Sequence, residues 1–326
     1  MKPVIVSGIK PTGRTHIGNY LGMAKLAAEL QNSGKYEPLF FIADYHAMTE
    51  KVPASEMTRQ TLEIAADLIA SGIDPKKSVL FVQSHVPEHA NLAWILSTVT
   101  SMGDLERMVE YKEKVADGQT PNAGLFNYPV LMAADILIYK AGVVPVGEDQ
   151  RQHLELTRAI ARNFNARFGE TFPEPKAAHT SAPRVMSLDD ASRKMSKSIA
   201  SGCIYLTDTP DEIRAKVARA QTDSMSEVGY DPEKRPAIAN LLRIYSEFSG
   251  KPIETIVAEF KGKKYVEFKT ALAEVIIAAL IPFQEKRAEL LKNPKKLASI
   301  LASGAKKASK IAEATMKEVR EKTGLI

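Results

Sequence analysis

The chain has 326 residues, 44% of them hydrophobic and 25% charged, enough to bury one large core or two ordinary ones and unlike a disordered or repetitive sequence. Its longest unbroken apolar stretch, VIIAALI at 275–281, falls well short of the roughly 20 residues of a membrane-spanning helix, and the N-terminus lacks the apolar core of a secretory signal. One cysteine, Cys203, leaves no intrachain disulfide and fits a reducing compartment, so the expectation is a soluble cytoplasmic protein.

Three short apolar runs bounded by turn residues, PVIVS (3–7), PLFFIAD (38–44) and SVLFVQS (78–84), read as strands buried on both faces of a parallel sheet. Helical spacing over 17–31 and 55–71 separates them, the second helix stopping at Ser71-Gly72. Such alternation is the mark of a doubly wound, nucleotide-binding sheet. Helices dominate from 88 to 166, interrupted by VVPVG at 143–147, a candidate fourth strand, and 170–203 reads as loops. Thr209-Pro210-Asp211-Glu212 opens a helix with a capping box and proline at the first position. Helical patterns follow over 236–249, 252–260, 265–281 and 294–322. The expected fold class is therefore α/β: a Rossmann-like catalytic domain with a helical insertion over 1–205, then an all-helical domain over 206–326.

The net charge of +5 is unevenly placed. Residues 240–326 carry 14 Lys and 3 Arg against 10 Glu and no Asp, a balance of +7, which leaves 27 basic against 29 acidic residues in the remainder, or −2. A basic helical tail fits a polyanionic partner and fits equally a solvated Lys/Glu surface.

Two stretches carry chemistry. KPTGRTHIGNYLG at 10–22 lies at the first strand-to-helix turn, where open parallel sheets bind ligands. Its glycines, with Gly8, let backbone approach a phosphate, and the helix starting near Ile17 aims unpaired N–H groups at the same anion. The spacing is neither G-x-G-x-x-G nor that of a P-loop. KMSKS at 194–198 sets two lysines three apart in a polar loop, able to bring point charges onto a leaving pyrophosphate.

Together, His16-Ile17-Gly18-Asn19 and KMSKS resemble the two signatures of class I aminoacyl-tRNA synthetases. SGIKPTGRTHIGNYLG, YPVLMAADILIY and PVGEDQRQHLELTRAIARNFN look like successive blocks of the bacterial tryptophan branch of that family, a likeness running from residue 3 to the end. The resemblance implies ATP with Mg²⁺, L-tryptophan and tRNA(Trp) as ligands, a homodimer, no membrane and no protein-bound metal site.

It also implies site residues. Lys10, Pro11, Thr12, Gly18 and Asn19 would surround phosphates and ribose. Gly147, Glu148 and Asp149 would line ribose and adenine, although GEDQ also reads as an acidic helix cap. Val185 and Met195 would touch adenine, Ser196 and Ser198 belong to the same loop, and His16, Lys194 and Lys197 would act in catalysis. Lys10 stands where many bacterial relatives have Gln, adding charge near the phosphates, and Tyr45 replaces another common Gln beside His46, a candidate pocket residue.

The amino-acid pocket has its own physical reading. Tyr128, Met132 and Asp135 stand at i, i+4 and i+7 and share a helix face. An indole N–H only donates, so a buried carboxylate suits it; Asp135 is either that reader or a carboxylate paired within the core. Tyrosine-specific relatives carry Gln at the Met132 position, and a thioether offers soft contact to a wide ring instead. By the same likeness, Tyr128 and Gln150 would hold the ammonium and carboxylate. His85 and His89, four apart, straddle Pro87 and make no plausible zinc pair. Trp94 reads as core or as subunit interface.

Overall fold

The computed structural model describes residues 2–325 apart from 117, 119, 146, 148, 149, 179–183, 198 and 226. The three apolar runs form β1 (Val4–Ile9), β2 (Glu37–Ile42) and β3 (Val79–Val82). β4 (Val143–Pro145) and β5 (Lys176–Ala178) join them, all in parallel, in the order β3-β2-β1-β4-β5. β5 falls where the sequence suggested only loops. It is a three-residue edge strand with one pairing neighbour, so no long apolar run is needed to place it.

The helices of the first half are α1 (Lys25–Asn32), α2 (Ala54–Ala70), α3 (Glu88–Ser97), α4 (Val109–Ala116), α5 (Ala123–Leu137) and α6 (Arg151–Phe168). The helix expected over 17–31 is not uniform: one turn at Ile17–Asn19 passes through a π-type segment, Tyr20–Ala24, into α1. Such wide turns cluster at functional sites.

The second half holds α7 (Pro210–Arg219), α8 (Pro236–Ser249), α9 (Ile253–Glu259), α10 (Tyr265–Leu291) and α11 (Pro294–Thr323). The capping box of α7 is in place: Glu212 N–H donates to Thr209 Oγ1 at 3.3 Å, and Thr209 N–H to the Glu212 carboxylate at 2.7 Å. α10 runs on through Pro282, where the sequence suggested a stop. Beyond that proline the helix is held by tertiary contacts: Phe283 is buried, and Gln284 donates to the carbonyls of Leu206 and Asp208, both at 2.9 Å.

Packing crosses the residue 205/206 boundary in both directions. One core joins α7–α10 to Val185, Leu188, Met195 and Cys203–Leu206, and also to Ile17 and Leu21 of the first turn. Conversely, α11 belongs with the sheet. Leu297 and Leu301 pack with Phe40, Ile42 and Leu80, while Ala305, Ala308, Ala312, Met316 and Val319 join Phe81 and α5–α6. Gly304 lets α11 lie against the β3 backbone, for a Cβ there would sit 1.8 Å from the Leu80 carbonyl oxygen. Sequence periodicity marks α11 as amphipathic but does not say which surface its apolar stripe covers.

Candidate active site

A cleft of about 1910 Å³ opens where β1 and β4, neighbours in the sheet, send their chains to opposite sides. This is the position at which open α/β sheets bind ligands, and the volume exceeds the roughly 300–1,000 Å³ of a pocket for one small ligand. Its lining includes the end of β1 (Gly8, Ile9), Ala43 after β2, Pro145 at the end of β4 and Gly147 beyond it.

The signature turn forms one wall. His16 caps the turn that follows: its Nδ1 accepts the Asn19 N–H at 3.2 Å, and the Asn19 side chain accepts the His16 N–H at 3.3 Å. Accepting at Nδ1 requires an unprotonated nitrogen, and the ring is held in that form. Burial, then the nearby charges of Lys197 and Lys194, push its pKa down to about 4. Gly18 is required by the same ring, since a Cβ there would lie 2.9 Å from His16 Nδ1. The turn is also paired to the chain beyond the lysine loop: Ile17 N–H donates to Ile204 at 2.9 Å and Leu206 N–H to Thr15 at 2.9 Å.

The lysine loop faces this wall. A bridge between Met186 and Lys194 closes its base, with Met195 N–H donating to Val185 at 3.0 Å and Ser187 N–H to Arg193 at 2.8 Å. Met195 is buried in the helical core, which fixes the loop's middle and leaves its lysines facing the cleft. Lys197 Nζ donates to the Thr12 carbonyl, a neutral partner. Its pKa is lowered, chiefly by burial, with Lys10 adding to the effect and Glu50 opposing it. Lys10 itself pairs with Glu50, so the charge expected from that position is compensated.

The opposite end of the cleft is built on α5. Tyr128, Met132 and Asp135 all line it, as the helical spacing requires. Asp135 is buried and accepts three side-chain bonds: His46 Nε2 to Oδ2 at 2.7 Å, and Gln83 Nε2 and His89 Nδ1 to Oδ1 at 2.7 and 2.6 Å. His89 Nε2 continues the chain to the Tyr139 hydroxyl at 2.7 Å. Burial works to raise the Asp135 pKa, but the hydrogen bonds of His46 and His89 outweigh it and the net direction is down. The group stays an ionised acceptor. Tyr128 OH lies 2.7 Å from His153 Nε2, and burial followed by Glu110 raises its pKa, keeping the phenol neutral.

Among the candidate residues, Lys10, Thr12, His16, Gly18, Asn19, His46, Tyr128, Met132, Asp135, Gly147, Gln150, Val185, Lys194, Met195, Ser196 and Lys197 line this one cleft. Pro11 is buried and does not, and Tyr45 also lies outside the lining. Glu148, Asp149 and Ser198 fall outside the described residues. Sequence reading missed Glu110, Lys114, Arg151 and Arg158, which also line the cleft, and Gln83 and His89, which buttress Asp135 from the turn after β3 and from α3, 52 and 46 residues away. No local spacing announces such partners. His85 is exposed while His89 is buried on Asp135, so the two do not converge. Trp94 is 75% exposed, which removes the core alternative.

A cleft roomy enough for more than one small ligand, at a sheet switch point and walled by both signatures, defines a class I synthetase. The chain belongs to that family: the model described as tRNA synthetases class I (W and Y) matches residues 1–281. Within it, the chain is similar to the tryptophan–tRNA ligase of Wolinella succinogenes, 49% identical over 331 residues and covering 100% of each. Among solved structures it resembles the tryptophanyl-tRNA synthetase of Mycoplasma pneumoniae, with a TM-score of 0.92 at 32% identity over 100% of this chain and 99% of that one. It also resembles the Campylobacter jejuni enzyme complexed with ADP and tryptophan, with a TM-score of 0.85 at 39% identity over 98% and 99%.

Proposed function

We propose that this protein joins L-tryptophan to tRNA(Trp) in two steps. In the first, a tryptophan carboxylate oxygen attacks the α-phosphorus of ATP, the bond to the bridging oxygen of the β-phosphate breaks, and pyrophosphate leaves. In the second, a ribose hydroxyl of the terminal tRNA adenosine attacks the activated carbonyl and releases AMP. The observation that carries this reading is the placement of a buried, ionised acceptor, Asp135, in the same cleft as both signatures.

Each residue has a physical task. Asp135 accepts the indole N–H, because its ionised form can only accept, and Met132 supplies soft contact to the ring. Tyr128 and Gln150 receive the ammonium and carboxylate, and His46, bonded to Asp135, closes that side. Lys10, Thr12, Gly18 and Asn19 flank the phosphates and ribose, with Gly147, Val185 and Met195 toward the base. Lys194 and Lys197 stabilise charge that grows on the departing pyrophosphate, while His16, neutral, orders the turn. No side chain need form a covalent bond to substrate; alignment and electrostatics suffice. Mg²⁺ enters with ATP as substrate, held mainly by phosphate oxygens and water.

The basic helices of residues 206–326 are read as the tRNA-binding part, and the anticodon, with its splayed bases, is the element suited to them. A homodimer is supported by the exposed Trp94, Met102 and Val109, an apolar set on neighbouring elements that a second copy would cover. Among the described residues no helix is long and apolar enough to cross a membrane, and the site of action is read as the cytoplasm.

ATP–pyrophosphate exchange with each of the twenty amino acids tests the first step, with tryptophan expected to be the active one. Exchange with tyrosine instead would overturn the specificity. Charge reversal at exposed lysines of this part (Lys261, Lys263, Lys292) should depress tRNA charging, and its salt dependence, while leaving tryptophan-dependent exchange largely intact. If both steps fell together in a folded protein, the two halves would not divide the work this way.

A further inference from the structure

Outside the cleft, one buried charged cluster has no part in the chemistry above. Asp67 of α2 is 5% exposed; its Oδ2 accepts the Thr15 hydroxyl at 2.6 Å, and its Oδ1 accepts Arg287 Nε of α10 at 2.5 Å. Burial raises the Asp67 pKa, and Arg287 opposes that rise first, then Thr15. Thr15 immediately precedes His16, and its carbonyl accepts Leu206 N–H. One turn before Arg287 on the same α10 face, Gln284 donates to the carbonyls of Leu206 and Asp208.

The two α10 side chains therefore grip both partners of one short pairing. Gln284 holds the 206–208 side, which follows the lysine loop, and Arg287, through Asp67, holds the 15–17 side, which begins the signature turn. We propose that Asp67, Arg287 and Gln284 are positioning residues for adenylate formation: they set the register in which the signature turn meets the chain leaving the lysine loop. A carboxylate buried without its arginine would be costly, so the pair ties the turn to a helix of the basic C-terminal part. None of these side chains lines the cleft, and their effect reaches ATP through Thr15 and His16. This rests on the reading that the signature turn serves ATP.

Thr15→Val tests it with least disturbance, deleting one hydroxyl at nearly constant shape. Tryptophan-dependent ATP–pyrophosphate exchange in the full chain should fall in kcat by about ten-fold, the size of one lost buried network bond, with KM for tryptophan unchanged and Thr15→Ser restoring the rate. Arg287→Met should give a loss of the same kind, and adding it to Thr15→Val should cost no more than about a further two-fold, because linked groups are not additive. Asp67→Asn should recover part of the Arg287→Met loss by removing the unpaired buried charge. Unchanged exchange in Thr15→Val, fully multiplicative losses, or a parallel rise in KM for tryptophan would each overturn the proposal. Wild-type exchange is the control that separates this from the assignment itself: if wild type showed none, the reading of the site would fail, not the network.

Discussion

The two ends of the cleft are built on opposite principles. At the α5 end the central carboxylate arrives already fixed in place: Asp135 takes three bonds from His46, Gln83 and His89, beside the core of the sheet, and keeps acceptor capacity on Oδ2. At the loop end the charges are arranged against their own ease. Lys197 is half-buried against a neutral carbonyl with another lysine near, and the neighbouring His16 is driven into its neutral form. Under the proposed function the difference has a physical reason. A selective pocket needs an acceptor that cannot swing or protonate, so that the lone pairs left open by its fixed donors keep one direction for the ligand's donor. A group that stabilises a transition state gains most when its charge is poorly answered until the anion forms there.

The sharpest way to break this contrast is at Asp135. Asp135→Ala removes the acceptor and strands three donors, so kcat/KM for tryptophan in exchange should fall about 10³-fold; a near wild-type value would move the amino acid elsewhere. Lys197→Ala comes next. A fall in kcat of about 10²-fold with a smaller change in KM for ATP is expected of charge that acts in the transition state. A change confined to KM would make the loop a docking site and erase the distinction.

His16 sharpens the contrast through pH. Its pKa is about 4 in the folded protein against 6.5 unfolded, so below pH 6.5 the unfolded chain binds a proton that the folded one refuses. Its stabilising contribution is therefore complete above pH 6.5 and is lost as pH falls toward 4. Lowering the pH from 7 to 5 should cost about 2 kcal/mol through this group. Urea unfolding should show that drop in wild type and a smaller one in His16→Asn, which can still cap the turn; equal drops would mean His16 is not held neutral. The mildest test is His89→Phe. It leaves Tyr139 OH and Asp135 each short of one bond, and kcat/KM for tryptophan should fall about ten-fold. KM for ATP should not move. If it did, the two ends would not be separable.

The sequence displayed what local rules govern. Apolar runs bounded by turns located β1–β3, a capping box with proline at the first position opened α7 at Thr209–Glu212, and the spacing of Tyr128, Met132 and Asp135 put them on one face. It hid what depends on contacts between distant segments. β5 is too short to leave a pattern, and α10 outlives its proline because Gln284 finds carbonyls 76 and 78 positions away in the chain. His89 looked unremarkable beside His85, yet its partner stands 46 residues further on. The lysine loop was recognisable as a motif, but nothing in its composition shows that Met195 anchors it in the core of the C-terminal helices.

The seating of α11 along β3 has a consequence for biosynthesis. β3 is an outer strand of the sheet, and the helix that covers it is made only after residues 83–293. During translation the strand must wait with its unpaired backbone and the apolar side chains of Leu80 and Phe81 uncovered, the condition in which edge strands recruit wrong partners. A nascent chain arrested before codon 294 would hold every candidate site residue and still lack the helix that covers the sheet carrying them.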